Sequence, residues 1–221
     1  MRVRKMKNTS ARLEYYKDFF LDYSDDQDIL SRSDQYADCQ KIFGNAHPVQ
    51  IEIGAGKGDF ITTLARQNPH INYIALEKCA DVIAIAATKA KGLPNLRFAN
   101  WDAEILDRIF QENSIERIYL NFSDPWPKGR QRKKRLTHKH FLAQYEKVLV
   151  PYGEIHMKTD NCRLFRFSLL ETKAYGMEWL FLTFDLHNLH PEDNIMTEYE
   201  RRFSDKGYPI QKLVARFISK K

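Results

Sequence analysis

The sequence predicts an α/β protein whose mostly parallel, doubly wound β-sheet has helices on both faces and an antiparallel hairpin at one edge. From residue 49 onwards, short β-rich runs alternate with helical runs, and crossovers of this length are typical of parallel strands. The last two β-rich runs are separated by a longer excursion, which favours an antiparallel edge. With 221 residues, 43% of them hydrophobic, the chain is long enough for one large domain with a full core.

The N-terminal part of the chain precedes this alternation and is predicted to be an extension. Residues 1–10 form a basic arm, and the residues after it carry apolar side chains at helical spacing, followed by a second helix around 29–43. The apolar positions are Leu13, Tyr16, Phe19, Phe20 and Tyr23, and the basic arm contains Arg2, Arg4, Lys5 and Lys7. We therefore expect an extension over residues 1–43 and a single domain over residues 44–221.

The elements of the α/β part follow in chain order from their local composition. The predicted strands are VQIEI, NYIALE, NLRFANWD, RIYLNF, GEIHMKTD, EWLFLTFDL and KLVARFI. The predicted helices lie between them, near residues 59–67, in CADVIAIAATKAKG, in a short segment after NLRFANWD, in THKHFLAQYEKVL and in NCRLFRFSLLETKAYG. In such sheets ligands bind at the carboxyl ends of the strands, so the polar residues there are the candidates for a site.

The positive charge of the chain is concentrated in one short segment. The formal net charge is +6, and six cations stand together in the segment Lys128–Arg135. Local basicity of this kind indicates a binding site for a polyanion.

The cysteines and the N-terminal sequence indicate the cellular compartment in which the protein is expected. Cys39, Cys79 and Cys162 are widely spaced and form no CxxC pair, so neither a disulfide framework nor a zinc site is expected. The N-terminus is basic but no continuous apolar run follows it, and no apolar stretch of 18 residues occurs anywhere. We therefore expect a cytoplasmic protein that neither spans a membrane nor binds a metal.

A glycine loop follows the first predicted strand of the α/β part. In IEIGAGKGDF, Gly54, Gly56 and Gly58 permit a tight turn and close approach of the backbone to a ligand. Their spacing differs from the G-x-G-x-x-G of dinucleotide-binding loops, and Glu52 stands two residues ahead. A carboxylate fits poorly beside a pyrophosphate but well beside an ammonium or sulfonium group.

Acids also follow the next two predicted strands. Glu77 is placed to accept hydrogen bonds from both hydroxyls of a ribose, a group that NAD and S-adenosylmethionine share. Asp102 is placed to accept a hydrogen bond from an adenine amine. Taken singly, each acid is most simply a solvated loop residue. Their joint placement with Glu52 at three strand ends favours a methyl-donor pocket, and Trp101 is expected to pack in the core rather than against the adenine.

The fourth predicted strand leads into SDPWP and then into the basic segment. The prolines are expected to stiffen Asp124-Pro125-Trp126-Pro127 and to bias the residue before each proline toward extended geometry. A stiff turn suits a clamp for the methyl acceptor, because transfer depends on alignment. The basic segment suits nucleic-acid phosphates. The simpler alternatives are an ordinary proline-rich turn and a solvated or import-signal-like basic patch.

Several motifs together resemble the tRNA (guanine-N7-)-methyltransferases over the range from about residue 51 to the C-terminus. These are EIGAGKG, LEK, NFSDPWPK with its basic tail, KTD and TEYE. The resemblance implies a Rossmann-like class I methyltransferase fold and an enzyme that uses S-adenosyl-L-methionine to make 7-methylguanosine in the variable loop of tRNA. Only Gly129 departs from the pattern, where a basic or polar residue is expected. The segment 11–43 matches no motif.

The resemblance also implies roles for individual residues. Asp124 is the implied catalytic residue. Implied donor-site residues are Glu52, Gly54, Gly56, Gly58, Glu77, Asp102 and Asp124. Implied substrate contacts are Lys128, Asp160, Thr197, Glu198, Tyr199 and Glu200, and the implied RNA-binding run is Arg130, Gln131, Arg132, Lys133, Lys134 and Arg135.

The chemistry of the implied reaction agrees with these residues. Guanine N7 carries a lone pair and no hydrogen, so its methylation needs no general base, and a carboxylate such as Asp124 favours the positive charge that develops on the purine. The N1–H and amino group of guanine are donors, for which Asp160 and Glu200 are the candidate acceptors. Exposing N7 is expected to require removal of the nucleotide from its stack.

Other functions remain as alternatives. An NAD-dependent oxidoreductase shares the sheet and Glu77 but needs the other glycine spacing. An RNA-binding protein on an inactive methyltransferase scaffold retains the basic segment, although the intact set of acids argues against it. A DNA or small-molecule methyltransferase is the nearest enzymatic rival. The expected partner is tRNA, and the expected state is a monomer or homodimer.

Overall fold

The computed structural model describes residues 8–21, 36–190, 192 and 194–218. The chain divides into two compact units, Met1–Gln111 and Glu112–Lys221. The cations of the predicted basic arm, Arg2, Arg4, Lys5 and Lys7, lie outside the described residues, as do Tyr23 and the first part of the helix predicted around 29–43.

The extension at the start of unit 1 packs on the core of that unit. Helix α1 (Thr9–Tyr15) and a 3₁₀ helix (Lys17–Phe19) bring Leu13, Tyr16, Phe19 and Phe20 against a buried cluster that includes Phe98. The helical spacing predicted to continue beyond Phe19 is wrong, because Phe20 forms a parallel bridge with Phe98 and the Leu21 N–H donates to the Phe98 carbonyl at 2.9 Å. Of the second predicted helix, α2 (Cys39–Phe43) is present.

The described part of unit 1 contains three parallel strands in the order β3-β2-β1. These are β1 (Val49–Ile53), β2 (Asn72–Leu76) and β3 (Leu96–Ala99), and every residue of β1 and β2 is buried. Continuous burial is typical of strands covered on both faces, and in β1 it includes the polar side chains of Gln50 and Glu52. The helices of this part are α3 (Asp59–Gln67), α4 (Ala80–Ala87) and α5 (Leu106–Ile109), the last preceded by a 3₁₀ turn.

Unit 2 contains the antiparallel edge. Strand β4 (Ile115–Asn121) is parallel to β5 (Leu149–Thr159), while β7 (Gln211–Arg216) is antiparallel to both β5 and β6 (Glu178–Thr183). The helices are α6 (Lys139–Val148), α7 (Cys162–Ala174) and α8 (Glu198–Ser204), with 3₁₀ helices at Gly129–Lys134 and His187–Leu189.

The described strands of unit 1 are parallel in the order β3-β2-β1, and those of unit 2 follow the order β4-β5-β7-β6 with an antiparallel edge, which confirms the predicted fold class. The long excursion between β6 and β7 has a positional consequence. Thr159 pairs with Gln211, and Thr183 pairs with Lys212, so the excursion starts and ends at the carboxyl end of β5. Helix α8, which contains the TEYE motif, is thereby carried to that end. Within the described ranges, no helix has the length and apolar character needed to cross a membrane.

Candidate functional site

The glycine loop of unit 1 turns back between β1 and α3 with three residues in the left-handed region. The φ angles are 78° at Gly54, 56° at Gly56 and 78° at Gly58, where a side chain would be strained. A Cβ atom at Gly58 would lie 2.9 Å from the Cβ of Ala86, so this glycine is needed for packing on α4. At Gly54 and Gly56 no atom lies within 4 Å of such a Cβ, which leaves space for a ligand beside the backbone.

The carboxylate of Glu77 is fixed beside this loop. It directly follows β2, and its two oxygens accept hydrogen bonds from the N–H of Gly56 at 3.1 Å and the N–H of Cys79 at 2.9 Å. The side-chain amide of Asn100 donates to the Glu77 carbonyl at 2.7 Å. Each carboxylate oxygen can accept more than one hydrogen bond, so a positioned acceptor remains for the hydroxyls of a ribose.

The other two acids of unit 1 have different surroundings. Glu52 lies within β1 and is only 2% exposed, so the alternative of a solvated loop residue is wrong for this acid. Asp102 is half-buried and begins a 3₁₀ turn by accepting the N–H of Glu104 at 3.2 Å. Trp101 is 4% exposed and belongs to the core, as expected from the sequence. Among the described residues, no group of three or more His, Cys, Asp or Glu side chains is arranged to hold a metal ion.

In unit 2, the turn after β4 is held by its own basic segment. The guanidinium of Arg135 donates from Nε to the Pro125 carbonyl at 3.0 Å and from Nη2 to the Trp126 carbonyl at 3.0 Å. Trp126 has a φ of 41°, so the extended geometry predicted before Pro127 is wrong here. A left-handed non-glycine residue costs about 1–2 kcal/mol, and the Arg135 hydrogen bonds help to offset it. The side chain of Asp124, at the start of this turn, is exposed.

The basic segment itself is a 3₁₀ helix, Gly129–Lys134, rather than a loop. Arg132 pairs with Glu171 of α7 at 2.6 Å, and its guanidinium lies 5.3 Å from the centre of the Phe167 ring. Arg135 lies 4.4 Å from the same ring. Two of the six cations predicted to contact RNA are therefore engaged inside unit 2.

The remaining basic side chains are available on the surface. Lys128, Arg130 and Lys133 are exposed, and none of them forms an ion pair with another residue of the described ranges. Lys134 is also exposed and lies 4.9 Å from the centre of the Trp126 ring, while Gln131 is half-buried. The run predicted to bind RNA thus separates into an outward-facing set and a set that supports the turn.

At the carboxyl end of β5, a buried ion pair fixes α8. The Nζ of Lys158 donates to Glu200 Oε2 at 2.6 Å, to the Ile195 carbonyl at 2.9 Å and to Asn194 Oδ1 at 3.2 Å. Glu200 is fully buried, and its Oε1 accepts from Asn194 Nδ2 at 2.7 Å. The expectation that Glu200 reads the edge of guanine is therefore not met by this geometry, because the carboxylate is already used within the protein. Thr197 accepts the N–H of Glu200 at 2.9 Å and so caps α8.

Asp160 and Tyr199 form the outward-facing part of this region. Asp160 follows β5 and is half-buried, and the Tyr199 hydroxyl lies 3.5 Å from its carboxylate. The Tyr199 ring stacks on Phe203 at 4.2 Å between centroids and remains 42% exposed. Partial burial and the neighbouring Asp160 carboxylate raise the pKa of the Tyr199 hydroxyl. Glu198 is exposed beside them.

Sequence reasoning did not predict how three side chains of unit 2 are used. Lys158 is one of the polar residues at the end of a predicted strand, in the KTD motif, but its neighbours Met157 and Thr159 give no signal of a buried ion pair. Glu171 and Phe167 lie four residues apart in the helix after that motif, and nothing local in the sequence indicates that they support the basic segment.

Comparison of the sequence with known proteins finds relatives that are methyltransferases. A family model described as a putative methyltransferase matches residues 46–213. A tRNA (guanine-N(7)-)-methyltransferase from Bacillus cytotoxicus is 47% identical over 219 residues, which are 98% of this chain and 97% of that protein. A protein of the same name from Lysinibacillus sphaericus is 52% identical over 184 residues, covering 82% of this chain and 85% of that protein.

Comparison of the structure with solved structures supports the fold. The 16S rRNA methyltransferase KamB matches with a TM-score of 0.63 at 15% identity, covering 84% of this chain and 95% of that one. At this identity the likeness concerns the fold alone, and it confirms the predicted Rossmann-like class I methyltransferase architecture.

Proposed function

The chain belongs to the tRNA (guanine-N(7)-)-methyltransferase family, and we propose that its target is a guanine in the variable loop of tRNA. As a member of this family it transfers the methyl group of S-adenosylmethionine to N7 of that guanine. The roles of individual residues, the cytoplasmic location and tRNA as the partner are part of this proposal.

The observation that carries the donor assignment is the carboxylate of Glu77, held by two backbone N–H groups beside the open face of the glycine loop. S-Adenosylmethionine supplies an electrophilic methyl group on a sulfonium. Glu77 is assigned to its ribose hydroxyls, and Asp102 to its adenine amine. The backbone at Gly54 and Gly56 allows close approach of the amino acid part, whose ammonium charge the buried Glu52 offsets.

The acceptor chemistry needs charge stabilisation rather than proton removal. As N7 forms a bond to the methyl carbon, the carbon–sulfur bond breaks with its electron pair going to sulfur, and the purine gains the positive charge. The exposed carboxylate of Asp124 is assigned to offset that charge, an effect of about 3–4 kcal/mol for one well-placed group in other enzymes. Asp124 is also assigned to the binding site of the methyl donor.

Recognition of the guanine is assigned to the outward-facing side chains of unit 2. Asp160 is the acceptor for the N1–H and amino group, with Tyr199 beside it, and both are reachable from solvent. Lys128, Thr197 and Glu198 complete the proposed substrate contacts. Glu200 is assigned a positioning role through Lys158, because its carboxylate is buried in the ion pair.

Binding of the RNA backbone is assigned to the outward-facing cations of the basic 3₁₀ helix. Arg130 and Lys133, together with Lys128, have no ion-pair partner among the described residues, so phosphates can pair with them. Arg132 and Arg135 are assigned to hold the helix and the turn in place.

Incubation with labelled methyl donor and bulk tRNA, followed by digestion, tests the proposal. We expect labelled 7-methylguanosine from the variable loop. Label elsewhere in the tRNA would contradict the proposed target position. Donor and tRNA binding without turnover would favour an RNA-binding protein on an inactive scaffold, and transfer only to DNA or to small molecules would reject RNA as the substrate.

A further inference from the structure

We propose that the RNA-binding surface continues from the basic 3₁₀ helix onto the exposed face of α7, where Arg163 and Arg166 bind phosphate groups of the RNA backbone. The inference rests on the proposed function, because the ligand is the backbone of the substrate RNA. Neither arginine belongs to a motif that the family resemblance covers.

The first step is the contact between α7 and the basic 3₁₀ helix. Arg132 reaches Glu171 of α7 at 2.6 Å, and Arg135 lies over Phe167 of the same helix. Residues four apart in a helix lie above one another, so Arg163, Phe167 and Glu171 form a single row. Four residues of helix rise by about 6 Å, so Arg163 extends this row by that distance toward the carboxyl end of β5.

The second step is the position of Arg163 relative to the proposed base contact. Helix α7 begins directly after Asn161, whose side chain caps it by accepting the Leu164 N–H at 2.9 Å. Asp160, the proposed guanine acceptor, immediately precedes that cap. Arg163 therefore lies between Asp160 and the part of α7 that holds the basic 3₁₀ helix, and Arg166 follows on the neighbouring row of the helix.

The third step is electrostatic. Arg163 and Arg166 are both exposed, and neither has an ion-pair partner within the described ranges. Arg163 stands in the first turn of α7, which contains no acid, although the positive end of the helix dipole disfavours a cation there. Arg163 and Arg166, like Arg130 and Lys133 of the basic 3₁₀ helix, therefore present exposed cations with no ion-pair partner among the described residues, and phosphates can pair with them. A locally unfavourable charge of this kind is typical of a functional position.

Single substitutions test the proposal against a control on the same helix. Arg163→Gln and Arg166→Gln each remove one charge near the start of α7, and Lys173→Gln removes one exposed charge near its end. Each phosphate contact contributes about 0.7–0.9 to the slope of log binding constant against log salt, which is about four- to fivefold in affinity at 0.15 M salt. We expect losses of this size for both arginine variants, and wild-type values for Lys173→Gln.

Further measurements separate a phosphate contact from a structural role and from failure of the proposed function. Arg163→Lys keeps the charge and is expected to restore the salt slope, whereas a role in folding would not be rescued in this way. Calorimetric binding of S-adenosylmethionine should be unchanged in every variant. If the wild type methylates tRNA while both arginine variants bind it like Lys173→Gln, this inference is wrong and the proposed function stands. A wild type that does not bind tRNA would overturn both.

Discussion

Replacing Glu77 by alanine tests whether one carboxylate both holds the glycine loop and binds the donor. The side chain accepts hydrogen bonds from Gly56 at 3.1 Å and from Cys79 at 2.9 Å. Because the site is only partly buried, water can replace the lost acceptor, and each bond is worth about 1 kcal/mol of folding free energy. The lost bonds to the ribose weaken donor binding by about 1.5–3 kcal/mol.

Two calorimetric measurements distinguish these effects. In a chain of this size, 1 kcal/mol shifts the unfolding temperature by about 2–4 °C, so the loss of both loop bonds should lower it by about 4–8 °C without ligand. In a titration, the dissociation constant of S-adenosylmethionine should rise by about 10- to 150-fold, the range that corresponds to the lost binding energy. Titration at low temperature keeps the variant folded during the measurement.

Glu104→Ala is the matched control. Glu104 is an exposed acid in the turn after β3, and its backbone N–H, which the substitution leaves in place, donates to Asp102. This control should leave both quantities unchanged. If Glu77→Ala lowers the unfolding temperature but binds the donor as the wild type does, the carboxylate is only a loop support and the donor assignment is refuted. No change in either quantity would refute the argument from the loop as well.

Three further predictions concern unit 2. Asp124→Asn keeps the shape of the side chain but removes its charge, so the single-turnover methylation rate at saturating donor should fall by about 10²-fold. A rate within about twofold of wild type would show that Asp124 has no part in the mechanism. Lys133→Ala should lower the salt slope of tRNA binding by about 0.7–0.9 at unchanged thermal stability. Arg132→Ala should instead lower the unfolding temperature, because Glu171 loses its ion pair. Equal behaviour of the two variants would contradict the division of the basic segment. Burial alone would raise the pKa of Glu171, but the hydrogen bonds from Arg132 and the Lys139 N–H hold this pKa below the usual 4.5. The ionised Glu171 therefore stabilises the folded protein fully above pH 4.5, and this stabilisation is lost as the pH falls through the lower pKa of the folded state. Acid unfolding curves should therefore show a smaller loss of stability below pH 4.5 for Glu171→Gln, and curves of identical slope would reject this linkage.

The sequence predicts those parts of the fold whose signals are local. The predicted boundaries of β1 and α3 are correct because a short β-rich run and the glycine loop that follows it mark them. The predicted end of the helical extension is wrong, because the pairing of Phe20 with Phe98 depends on a strand that is distant in the sequence. The conformation of Trp126 was predicted wrongly for a related reason. The local bias before a proline is a small preference, and two hydrogen bonds from Arg135 exceed it.

The KTD and TEYE motifs show why the candidate site can be predicted only in part from the sequence. Each motif presents neighbouring polar residues, and a linear pattern does not show which of them faces inward. The register of β7 carries α8 to the end of β5, where Lys158 and Glu200 meet in the interior. Burying such a pair has a desolvation cost that well-packed apolar residues avoid, so stability alone does not explain it. The three hydrogen bonds of Lys158 instead fix α8 in one orientation, with Tyr199 outward beside Asp160. One short motif thus supplies both the buried anchor and the exposed contact of the proposed guanine site.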